Sequence, residues 1–165
     1  MAARKWRQMT TQKQTTAPLD INGAINQFVE AFNRNDLDGV MGFFAEDAVY
    51  RPGDGSEHRG RAAIRCAFEP QFAAAYGKMS FDEHDRMIDA ASGKAAIRWV
   101  CRHDLSTAKP ARLALNLQRI VAGLVLGRRF GWEGLDLFHF NAEAKITGKF
   151  TYANYWTPRF RRELG

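Results

Sequence analysis

Three side chains in this sequence have the chemistry to move a proton to or from a small molecule. His103 lies in Ile97-Arg98-Trp99-Val100-Cys101-Arg102-His103-Asp104. Alternate residues of a strand share a face, so Trp99, Cys101 and His103 go together, and Arg98, Arg102 and Asp104 go opposite. An imidazole titrates near neutral pH and can serve as a general base. Asp136 sits in Leu135-Asp136-Leu137-Phe138, where an apolar setting disfavours the charged form and suits an acid. Tyr50, at the end of a short strand, can offer a phenolic donor to a substrate oxygen. Each has a plainer reading: a core histidine satisfied by protein groups, a carboxylate held by backbone amides or an arginine, a tyrosine and a Trp99 that only pack. Metal binding is not expected. His84, near Asp82 and Asp85, lacks tight clustering with other ligands, and no close-spaced cysteine pair suggests zinc.

The elements that would hold these groups are legible from periodicity. Asp20 can cap a helix with Ile21, Ile25, Phe28, Val29 and Phe32 on one stripe. Asp36 can cap a shorter helix with Val40, Met41 and Phe44 inward, followed by a strand over Ala48 to Arg51 that Pro52 and a Gly-Asp-Gly turn stop. Gly60 opens a third helix carrying Ile64, Phe68, Phe72 and Tyr76, which Pro70 should kink or restart. From Met79 the period changes to two, predicting strands over Met79 to Ile88, Ala95 to Leu105, Gly134 to Phe140 and Lys145 to Tyr155. Asn141 to Ala144 reads as a hairpin turn. Ala111 to Leu126 is ambiguous; the spacing of Leu117, Ile120, Val121 and Leu124 favours a helix from Pro110 to near Gly123. Helices followed by antiparallel strands imply an α+β layered domain.

A chain of 165 residues suits one domain with one pocket. Its formal charge of +6 sits at the ends, because residues 19–157 carry 17 basic and 17 acidic side chains. We therefore expect basic tails at 1–18 and 158–165 around a domain at 19–157, and no nucleic-acid partner, since a phosphate groove needs cations interleaved with aromatics on an ordered face. Cys66 and Cys101 read as two buried thiols, which implies a reducing compartment. The first eighteen residues lack the apolar run of a secretory signal, and nothing approaches a membrane span of about 20 apolar residues. A cytoplasmic protein without a membrane partner follows as the expectation.

The run FVEAFNRNDLDGVMGFFAEDAVY from Phe28 to Tyr50, then HRGRAAIRCAF, resembles the amino-terminal half of the ketosteroid-isomerase, SnoaL-like and nuclear transport factor 2-like superfamily. GLDLFHFNAEAKITGKFTYANYW resembles its closing hairpin. The resemblance implies a cone-shaped, curved mixed sheet with three or four helices on its concave side enclosing a pocket, and a homodimer paired through the sheet. It also implies that Trp99, Cys101 and His103 face that pocket, with Phe28, Tyr50, Phe138 and Thr151 as further substrate contacts. His103 would then stand beside Asp136, on a neighbouring strand.

The specific isomerase mechanism does not carry over. The family's tyrosine falls on Phe28, its base near Arg51, and only its buried acid, Asp136, is matched. Limonene epoxide hydrolases need two aspartates and an arginine where this chain has Cys101, His103 and Thr151. The remaining expectation is a cofactor-independent enzyme that isomerises, cyclises or hydrates a small hydrophobic carbonyl compound, with His103 as base and Asp136 as acid or orienter. The rival is a non-catalytic binding or dimerisation module. An inverted register would instead send Arg102 and Asp104 inward. The long segment from Asp104 to Gly131 reads either as a lid over the pocket mouth or as an extra layer or dimer contact.

Overall fold

The computed structural model describes residues 19–109 and 112–160, so Pro110, the expected tail at 1–18 and residues 161–165 of the tail expected at 158–165 lie outside the described residues. Asp20 accepts a hydrogen bond from the Gly23 amide at 2.8 Å and opens α1, Ile21–Asn33; Ile21, Ile25, Phe28 and Phe32 are its buried stripe. Asp36 repeats the device on Gly39 at 2.8 Å and opens α2, Leu37–Gly42. Phe44, expected on that helix, instead begins β1, Phe44–Arg51, yet is fully buried. A short strand β2, His58–Arg59, folds back on β1 and leads into α3, Arg61–Phe72. The helix does not restart at Pro70: it runs through the proline and stops two residues later, at Phe72. The chain then turns through Ala74 and Gly77, both at positive φ, which leaves Tyr76 outside the helix and 39% exposed.

The remaining strands are β3, Lys78–Asp89; β4, Lys94–Asp104; β5, Arg129–Phe140; and β6, Ile146–Phe160. They form one six-stranded mixed sheet in the order β2-β1-β6-β5-β4-β3. It is not closed. β1 runs parallel to β6 and every other pair is antiparallel. Register shifts in the β1–β6, β3–β4 and β5–β6 pairs are the bulges that bend a sheet, and they curl this one around the helices. α1 and α3 fill the concave side with phenylalanines: Phe32 meets Phe72 at 4.8 Å and Phe81 at 4.6 Å between ring centroids.

The alternation read in β4 holds. Trp99 and Cys101 are each 5% exposed and belong to the core. On the opposite face Arg102 pairs with Asp82, Arg98 with Glu133 at 3.2 Å, and Arg129 with Asp104 at 2.9 Å. The inverted register is thereby ruled out. One expectation fails on burial. Cys66 is exposed, because α3 turns its Ile64-Phe68-Phe72 stripe inward and Cys66 lies off it. The helix expected from Pro110 to near Gly123 is found as α4, Leu113–Leu126, and its Leu117, Ile120, Val121 and Leu124 face solvent.

Candidate active site

The closing hairpin sets the polar centre of the molecule. β5 and β6 pair Asp136 with Thr151 and Phe138 with Lys149, so all four side chains share the concave face. The Thr151 hydroxyl donates to Asp136 Oδ1 at 2.5 Å. Lys149 Nζ donates to the same carboxylate oxygen and to Thr151 Oγ1, each at 2.8 Å. The Lys149 and Asp136 side chains are only 6% and 4% exposed. A buried charge without a partner costs several kcal/mol, and these two ions satisfy each other. Lys149 Nζ also lies 5.1 Å from the Tyr50 ring centroid and 5.6 Å from that of Phe138, within cation–π range. Two of the three ammonium donors are used by Asp136 and Thr151.

His103 and Asp136 do not meet, although their strands are neighbours. β4 and β5 pair His103 with Phe130 and Asp136 with Ile97. Six residues of strand separate the two positions, roughly 20 Å of chain at about 3.3 Å per residue. His103 stacks on Phe130 instead, at 5.1 Å and 14° between planes, with Nε2 3.7 Å from Cys101 Sγ. Its Nδ1 is buried and has no hydrogen-bond partner among the described residues. Burial pushes His103 down to about 4, so the ring is a neutral imidazole near pH 7 and a weaker base than its type suggests. The Cys101 thiol is pushed up, chiefly by burial and secondly by the Asp136 charge, and stays protonated.

A cavity of about 160 Å³ lies between α3 and the sheet, with Tyr50, Trp99, Cys101, His103, Lys149 and Thr151 in its wall. Phe32, Phe68, Met79 and Phe81 supply its apolar surface. A second space of about 20 Å³ adjoins it behind Trp99 and Lys149, lined by Phe28, Asp136 and Phe138. The expected contact set is therefore split between two spaces that share Phe32, Phe81, Trp99 and Lys149 in their walls. Trp99 Nε1, like His103 Nδ1, is buried without a partner among the described residues. No residue of α4 lines either space. Among the described residues, no three His, Cys, Asp or Glu side chains converge as they would to hold a metal.

Lys149 is the functional candidate that the sequence reading missed. Its signal was present: in a hairpin turning at Asn141 to Ala144, Lys149 has the parity of Thr151 and stands opposite the Asp136-Phe138 face. A lysine between two apolar positions of a strand is ordinarily read as solvated, and that prior hid it.

The SnoaL-like domain family matches residues 25–149. No curated protein matches the chain. Among solved structures, the chain is similar to SalBIII, an epoxide hydrolase/cyclase-like enzyme of pyran ring formation in the polyether salinomycin. The TM-score is 0.65 at 15% identity, over 85% of this chain and 95% of that one. It is similar to RV0760c from Mycobacterium tuberculosis, solved with estradiol-17beta-hemisuccinate, at a TM-score of 0.63 and 16% identity over 85% and 98% of the two chains. A Xanthomonas campestris pv. campestris protein provisionally assigned as a polyketide cyclase gives 0.60 at 20% identity, over 81% and 90%. At such identities these likenesses establish a shared fold.

Proposed function

Because the chain belongs to the SnoaL-like domain family, we propose that it acts on a small hydrophobic carbonyl compound by proton transfer, as an isomerase, cyclase or hydratase that needs no cofactor. The observation that carries this reading is the buried Lys149–Asp136–Thr151 cluster, whose Lys149 and Thr151 stand in the wall of an aromatic cavity. Lys149 keeps one ammonium donor for a substrate oxygen, and Asp136 and Thr151 orient it. A carbonyl oxygen placed there gains charge as a proton leaves the adjacent carbon, and a preorganised cation in a dry site stabilises that charge most in the transition state. His103 Nδ1, in the same cavity, is the candidate acceptor of the carbon-bound proton. The proton returns to a second carbon or to oxygen according to the substrate. Asp136 is thus a positioning residue, since an ion-paired carboxylate accepts hydrogen bonds and donates none.

A volume of about 160 Å³ suits a single ring rather than a polycycle. The steroid ester bound by the Mycobacterium tuberculosis neighbour supports hydrophobic ligands as a class. A homodimer through the outer face of the sheet belongs to the same reading, and Leu135 and Tyr152, which pair there and are 36% and 64% exposed, support it. So does a cytoplasmic setting, supported by the free thiols of Cys66 and Cys101. The second reading is a non-catalytic binding module, favoured by the low basicity of His103 and its distance from Asp136.

Cyclohexanone labelled at the carbonyl carbon separates the two. In deuterated buffer, an enzyme of this kind exchanges the α-protons faster than buffer alone, and His103→Gln slows the exchange about a hundredfold or more. Binding seen as a carbonyl shift without exchange selects the binding module. No binding of any ring-sized ketone ends both readings.

A further inference from the structure

Helix α4 turns most of its large apolar side chains outward. Its partly buried side holds Leu115, Asn116, Arg119, Ala122, Gly123 and Leu126, whereas Leu113, Leu117, Ile120, Val121, Leu124 and Val125 are 53–86% exposed. The steps of four, three and one between them make a single apolar stripe on one helical face. Arg119 holds the helix in this orientation, donating to the backbone oxygens of Ala75 at 2.5 Å and Lys109 at 2.6 Å. A stripe of six large apolar side chains aimed at water marks a surface that another phase or partner covers.

The charges around the stripe identify which. Lys109 and Arg112 precede it and Arg128 follows it, all exposed, with Arg129 beyond them paired to Asp104, and α4 contains no acidic residue. We propose that α4 docks on an anionic lipid surface, with its stripe entering the boundary between headgroups and acyl chains and its flanking cations meeting lipid phosphates. A second copy of the helix fits poorly, because both ends are cationic and either a parallel or an antiparallel pairing opposes like charges. With 14 residues, α4 lies on a membrane rather than crossing it, and no helix among the described residues is long and apolar enough to cross. The sequence expectation of no membrane partner considered only spanning segments. This inference is independent of the proton-transfer reading.

Flotation of the full-length protein with phosphatidylcholine vesicles, with and without an equal share of phosphatidylglycerol, tests it. The protein should float with the anionic vesicles and not with the neutral ones. The triple variant Leu117→Ser, Ile120→Ser, Leu124→Ser should partition roughly tenfold less or weaker still. A second triple variant, Lys109→Glu, Arg112→Glu, Arg128→Glu, should lose a similar amount. All six side chains are exposed, so both variants should keep the wild-type thermal melt. The proposal is overturned if the protein ignores both vesicle types, or if the serine variant floats as well as wild type, which would assign binding to the basic ends. It is equally overturned if light scattering shows a dimer that the serine variant dissolves and no vesicle binding.

Discussion

Replacing Lys149 with methionine keeps the length of the side chain and deletes its charge, which isolates the contribution of the buried cluster. Asp136 would then retain the Thr151 hydroxyl and lose the ammonium at 2.8 Å, in a site where its side chain is 4% exposed. Removing one partner of a buried ion pair costs about 3–5 kcal/mol, because the other charge is left uncompensated. Neither side chain is exposed enough for solvent screening to reduce that figure much. The cation–π contacts with Tyr50 and Phe138 add about 1 kcal/mol. Against a total stability of about 5–15 kcal/mol, the variant should be folded but marginal. In urea denaturation followed by tryptophan fluorescence at pH 7, the midpoint should fall by roughly 2 M. The double variant Asp136→Leu, Lys149→Met removes both charges at similar volume and should recover to within about 1 kcal/mol of wild type. A single-variant loss under about 1 kcal/mol, or a double variant less stable than the single, would refute the view that these ions depend on each other.

The other predictions concern His103, the thiols and a turn. His103 titrates at about 4 in the fold against an ordinary 6.5, so the unfolded chain takes the proton first. Its contribution is complete above about pH 6.5 and is lost as pH falls toward 4; at pH 4.5 wild type should have lost about 2–3 kcal/mol of stability that His103→Gln does not lose, and equal losses would show that His103 is not buried neutral. A disulfide-exchange reagent should label Cys66 in the native protein and reach Cys101 only after unfolding; rapid native labelling of both would contradict the packing around Cys101. At Gly77, where φ is +82°, an added Cβ would meet the Asp104 carbonyl oxygen at 1.8 Å. Gly77→Ala should therefore cost more than about 2 kcal/mol in a thermal or urea melt, and a neutral result would mean the turn is placed differently.

Much of this molecule is written in short-range pattern. The caps at Asp20 and Asp36, the phenylalanine stripe of α1 and the inward set Trp99, Cys101 and His103 follow from helical spacing and strand alternation, which are properties of a few consecutive residues. Tertiary structure decided what those faces meet. Whether His103 reaches Asp136 depends on the β4–β5 register, set by two distant segments and the long connection between them, and the answer is six residues apart. The burial of Lys149 depends on the β5–β6 pairing that supplies Asp136 as its counter-ion, since desolvating a charge is tolerable only where a partner is fixed in place. The orientation of α4 depends on carbonyls near Ala75 and Lys109 that only the folded chain brings to Arg119. Periodicity states that a helix has an apolar side; which side turns inward is decided by the polar groups that find partners there.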